Sequence, residues 1–122
     1  MKINRSTATT EENYLRNCKN NDMINLYIKL RMAAFESLEN VTTAATADYV
    51  SWSINGRRQF ANFYIQKKKI RIITLEPIKK HDLGEKVPDT HLWTLNYQTD
   101  IYTENNIEEA KNIICESYDK LD

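Results

Sequence analysis

Glycine, proline and cysteine are all scarce here, with two of each among 122 residues. Each scarcity removes a class of protein. Gly56 and Gly84 alone cannot build the glycine-rich turn that cradles a phosphate on backbone amides. Cys18 and Cys115 lie far apart with no C-x-x-C spacing, so neither a disulfide scaffold nor a zinc motif is indicated. No apolar run approaches the roughly 18 residues that span a bilayer. Residues 1–13 lack the apolar core of a signal peptide, and a cytoplasmic location without membrane contact is the expectation. A G-x-S-x-G elbow, a P-loop and a cysteine beside an evident base are also missing, so catalysis is not expected and no cofactor is implied.

Hydrophobic residues make up 41% and charged residues 28% of the chain, a balance that can bury a core. The length suits one domain, 1–122. Net charge is zero but unevenly spread. Residues 56–86 carry nine Lys or Arg against three acids, and residues 87–122 carry eight acids against Lys111 and Lys120. A basic middle and an acidic tail result.

Thr9 to Glu12 has capping-box spacing and predicts a short helix, which the Asn-rich stretch 17–22 ends. Asn21 is read as the cap of a second helix, with Met23, Tyr27, Leu30, Ala34 and Leu38 on one face. After Val41 the chain turns β-branched. Three strands are predicted in succession. The first, Tyr49 to Ile54, turns inward at Val50, Trp52 and Ile54, and Asn55-Gly56 is a type I′ hairpin signal. The second, 59–65, places Ala61, Phe63 and Ile65 on one face and Phe60, Asn62 and Tyr64 on the other. The third, Ile70 to Leu75, is apolar enough to be central. Residues 76–90 hold both prolines and Gly84 and read as a long connecting loop. A fourth strand spans 92–102, and a closing helix starts near Asn105 with Ile107, Ala110, Ile114 and Leu121 inward. The predicted fold is α+β: a four-stranded antiparallel sheet, a three-strand meander plus one, with N-terminal and C-terminal helices on one face.

The run from Thr9 to Leu121 resembles a small domain of unknown function found at the C-termini of prokaryotic proteins described as predicted transport proteins, and of some restriction-type nucleases. The residues that carry this are Tyr49-Val50-Ser51-Trp52, Phe60, the Gln66-Lys67-Lys68 turn, Trp93, and the closing Asn106 to Ala110 and Glu116 to Tyr118. The chain departs from that pattern at Ile65, where the family has proline, and across Thr90 to Thr94. The resemblance implies no activity. Its company with nucleases implies a setting in prokaryotic or phage defence.

Three groups of residues could carry chemistry. Arg57, Arg58, Lys67, Lys68, Lys69 and Arg71 can neutralise phosphates, and Tyr64 or Trp93 can stack on a base, which together describe a site for nucleic acid or a nucleotide. The plainer reading is that these cations solvate turns and guard sheet edges. Successive hairpin turns also lie at opposite sheet ends, which sets Arg57 apart from Lys68. His81, Asp82, Asp89 and His91 bracket the long loop and form a weak metal or acid-base candidate, against two solvated histidines. Trp52 reads as core. The leading expectation is a non-catalytic module for nucleic acid or a nucleotide. The alternative is a protein-interaction module, a homodimer or an inhibitor of a defence protein, using the acidic tail. A metal-assisted hydrolase is the third.

Overall fold

The computed structural model describes residues 8–87 and 95–121. In chain order the elements are α1 (Glu11–Asn17), α2 (Asn21–Phe35), β1 (Val41–Ala45), β2 (Val50–Ile54), β3 (Arg58–Ile65), β4 (Ile70–Thr74), β5 (Gly84–Lys86), β6 (Tyr97–Ile101) and, after one 3-10 turn (Glu104–Asn106), α3 (Ile107–Leu121). The strands form one sheet in the order β1-β2-β3-β4-β6-β5, antiparallel throughout. The α+β class holds, but the sheet has six strands rather than four.

The two unpredicted strands share a physical reason. β1, Val-Thr-Thr-Ala-Ala, has no strong apolar alternation and is held by its ladder to β2. Its far end is secured by a two-way backbone bridge between Ala45 and Thr9. β5 is three residues inside the predicted loop, and exists because Gly84 to Lys86 pair with Thr99 to Tyr97. Glycine is needed there, since a Cβ at Gly84 would lie 2.1 Å from the Tyr97 ring. The last strand begins at Tyr97, and the predicted residues 92–94 lie outside the described part.

Local signals place the starts of the remaining elements within about two residues, while α2 ends at Phe35 and leaves Leu38, expected on its inner face, beyond the helix. Thr10, not Thr9, caps α1 by accepting from the Asn13 amide at 3.1 Å. Asn20, not Asn21, caps α2 through the Met23 amide. Asn55 and Gly56 take φ of 54° and 73°, the left-handed pair that a type I′ turn requires. A bulge in β3 alters one expectation. Trp52 faces Ala61 and Ser53 faces Gln59, leaving Phe60 as the extra residue. Phe60 therefore joins the helix side, fully buried against Trp52 and Tyr118, rather than sharing the face of Asn62 and Tyr64.

Both long helices cover the face formed by Val50, Trp52, Phe63, Ile72 and Ile101, and one contiguous core joins them. Ala110, Ile113, Ile114, Ser117 and Tyr118 are the buried residues of α3, while Ile107 and Leu121 lie at its margin. Among the described residues no helix is long and apolar enough to cross a membrane.

A polar chain runs through this core. Arg31 grips Glu11 with both arms of its guanidinium, at 2.8 and 2.9 Å. The Tyr27 hydroxyl donates to the same carboxylate, and Trp52 Nε1 donates to Tyr27 at 3.0 Å. Burial first, and the Glu11 carboxylate next, push the Tyr27 hydroxyl far above its ordinary pKa, so it stays a donor. Glu12 takes no part in a capping box and pairs at the surface with Arg16. Removing Glu11 would strand Arg31 and Tyr27 together. Glu11→Ala is expected to cost about 2–3 kcal/mol in urea unfolding, against about 0.5 kcal/mol or less for Glu12→Ala.

Candidate functional site

Strand alternation sends every second residue to the sheet face away from the helices. The register aligns two rows there. One crosses the sheet through Ala44, Ser51, Asn62, Ile73, Gln98 and Glu85. The other holds Tyr64, Arg71 and Asp100. A cleft of ≈ 670 Å³ opens on this outer face, within the usual size range of small-ligand sites. Its polar lining is Arg57, Arg58, Gln59 and Asn62, and its aromatic lining is Tyr49 and Tyr64. Ile73, Val87, Leu95 and Leu121 supply apolar contact.

The cleft's cations come from the hairpin turn. Gly56 and Asn55 fold the backbone back so tightly that Arg57 and Arg58 follow at once, both exposed. Among the described residues neither has an acidic partner. Tyr49 and Tyr64 meet with ring centroids 5.1 Å apart, tilted by 47°. Burial raises the Tyr64 hydroxyl above its ordinary pKa, helped by Tyr49 and Asp48, so it remains a neutral donor at physiological pH. At the floor, Asn62 Oδ1 is buried with no hydrogen-bond partner among the described residues.

The other basic residues do not line the cleft, although Arg71 stands opposite Tyr64 in the β3–β4 register. Asp100 accepts from Arg71 at 3.0 and 3.2 Å and from Lys69 at 3.1 Å. Desolvation raises the Asp100 pKa, but the hydrogen bonds and charges of Arg71 and Lys69 outweigh it and leave it below its ordinary value. These two cations thus share one carboxylate, which offsets one of their two charges. Lys67 and Lys68 sit at the β3–β4 turn, the far end of the eight-residue β3 from Arg58. There the Lys67 carbonyl accepts from the Asn20 side chain, tying the turn to the start of α2. A second cavity, ≈ 620 Å³, lies beside that junction and contains no aromatic residue. Trp93 lies outside the described residues, and Trp52 is core.

No protein-family model matches this chain, and neither a curated protein nor a solved structure matches it. The site is therefore read from its own geometry.

The long loop is anchored by the acidic closing helix. Glu116 accepts from the amides of Ile78 and Lys79 and contacts His81 Nε2 at 2.8 Å. Glu109 accepts from the amides of Asp82 and Leu83 and lies 3.7 Å from His81 Nδ1. Desolvation acts against the Glu116 carboxylate, but the His81 and backbone hydrogen bonds prevail and hold its pKa below the ordinary value. His81 is thus a half-buried strut between two carboxylates. Among the described residues no group of three His, Cys, Asp or Glu is placed to hold a metal. Asp82 is exposed, and Asp89 and His91 lie outside the described residues. Both cysteines are free, and burial pushes their thiols above the ordinary pKa.

Tyr49, Gln59 and Asn62 were not singled out as site residues by the sequence. The available signal was the polar and aromatic series Gln59, Asn62, Tyr64 in a strand that, after Arg58, is otherwise apolar.

Asp100 and Glu116 set the expected acid response. Each has a folded pKa below its ordinary value, 3.8 and 4.5 respectively. Their stabilisation is complete above that ordinary value and drains away as pH falls below it. Asp100→Asn should flatten the acid limb of a stability–pH curve below about pH 3.8, and should free Lys69 and Arg71 on the outer face.

Proposed function

We propose that this chain is a non-catalytic module that binds a nucleotide unit, free or within a nucleic-acid strand, in the outer-face cleft. Arg57 and Arg58 would take the phosphate and Tyr64, with Tyr49 beside it, would stack on the base. The observation that carries this reading is the convergence on one cleft of two guanidiniums, without acidic partners among the described residues, and a tyrosine pair. A phosphate needs charge that is not already spent, and of the six cations first considered only these two lie at an aromatic-lined cleft. Lys67, Lys68, Lys69 and Arg71 become secondary, able to contact a longer strand. A role in prokaryotic or phage defence belongs to this proposal and rests on the sequence resemblance alone.

A protein-interaction module is the second reading, favoured by Ile28 and Met32, which lie one helical turn apart on α2 and are 38% and 65% exposed. A second copy is the simplest partner. Sedimentation at high micromolar concentration tests it, and a strict monomer would remove self-association.

The main test is calorimetric titration with mononucleotides and short single strands at two salt concentrations. Arg57→Glu with Arg58→Glu is expected to weaken binding about 10-fold or more and to reduce its salt dependence. Lys67→Glu with Lys68→Glu should change mononucleotide binding by less than about 3-fold, as expected of solvated charges far from the site. Equal losses from both pairs would move the site away from the cleft.

A further inference from the structure

Asn62 is out of place on energetic grounds. It sits mid-strand in β3, paired across to Ser51 on one side and Ile73 on the other. Its Oδ1 is buried without a partner among the described residues, and native proteins keep few such atoms. The one other unpartnered buried side-chain atom among the described residues is Thr99 Oγ1. That one lies on the helix side, opposite Ile72 and Gly84, where no ligand would reach. Asn62 instead lines the cleft, two residues from Tyr64 on the same face.

An amide offers an acceptor and a donor side by side, the arrangement that reads the edge of a base. With the oxygen unsatisfied, a ligand that brings an N–H to it gains more than one that brings a second oxygen. An amino-substituted ring with a neighbouring ring nitrogen, as in adenine or cytosine, satisfies both halves of the amide at once. A base presenting a carbonyl at that position leaves Oδ1 facing another acceptor.

We infer that Asn62 is the specificity-determining residue of the cleft, selecting an amino-bearing base through Oδ1 while Arg57 and Arg58 hold the phosphate. This rests on the proposed nucleotide reading. It also explains why an unpaired amide stands where an apolar residue would suit the fold: the acceptor is satisfied only when ligand is bound. Binding strength then depends on base identity through Asn62 and on phosphate through the arginines, and the two dependences separate by mutation.

The experiment titrates the full chain with the 5′-monophosphates of adenosine, cytidine, uridine and inosine, with ribose 5-phosphate, and with short oligoadenylate and oligouridylate. Wild type, Asn62→Leu and Asn62→Ser are compared. The wild type is expected to favour adenosine and cytidine monophosphate over the uridine and inosine compounds by about 10-fold. In Asn62→Leu that gap closes while ribose 5-phosphate binding stays unchanged. Asn62→Leu is also expected to melt no lower than wild type, because it removes an unpaired buried acceptor. Should Leu disturb the sheet, Asn62→Ser retains a small polar residue and should still lose the gap. A preference for oligoadenylate over oligouridylate that exceeds the mononucleotide gap assigns the site to a strand; equal gaps assign it to free nucleotide, and both support the role of Asn62. Equal wild-type binding of all four bases, or a gap that survives both substitutions, overturns it with the cleft reading intact. Silence from every phosphate compound overturns the cleft reading as well.

Discussion

The shared carboxylate of Glu11 is where the architecture is tied together. It accepts from Arg31 and Tyr27 on α2, and Tyr27 in turn accepts from Trp52 on β2, so one buried anion links a seven-residue helix, a long helix and the sheet. Alone, α1 is too short to persist in water. The same chain orients the aromatic core: the Arg31 guanidinium lies 4.3 Å over the Phe35 ring, and Phe35 meets Trp52 edge-on at 4.8 Å. Trp52 then contacts Phe63 at 4.3 Å and, across the β3 bulge, Phe60. Charge placed inside a small domain is tolerable because every member of the chain is satisfied, and the geometry that satisfies them admits one helix register.

Because the helices are committed to one side of the sheet, the cleft lies on the other. Its residues answer to fewer packing constraints, which is why polar and charged side chains alternate there with a fully buried core only one residue away. The charge asymmetry of the chain is partly resolved internally. Glu109 and Glu116 of the acidic tail hold down the loop that precedes β5, Asp100 offsets one of the two charges of Lys69 and Arg71, and Glu104 pairs with Lys29. What remains available for a partner is therefore much less than the segmental charges suggest, and on the outer cleft it reduces to Arg57 and Arg58.

Legibility followed the range of the interaction. The helix starts to within a residue or two, the Asn55-Gly56 turn and the inward face of β2 were readable because each depends on residues two to four apart, although the capping residues themselves were Thr10 and Asn20 rather than Thr9 and Asn21. β1 and β5 were not, since Thr42 and Glu85 carry no pattern that distinguishes strand from loop and gain their state from a neighbour strand. Phe60 was assigned to the wrong face because a bulge shifts alternation by one, and strict period-two reasoning has no means of locating it. Arg57, Arg58 and Tyr64 were visible as candidates, whereas Asn62 was not, its unpaired oxygen being a fact of three dimensions.

By itself, then, the sequence determined the α+β class, the order of the main helices and strands, and the residues able to carry charge or stack. Local hydrogen bonding and the periodicity of burial are enough for that. Only the tertiary structure decided which cations have acidic partners among the described residues, which face of the sheet the helices cover, and that His81 lies between Glu109 and Glu116. Those outcomes depend on partners some 30 residues away in the chain, as with Arg71 and Asp100 or His81 and Glu116, and strand register and helix docking alone bring such partners within a hydrogen bond of each other.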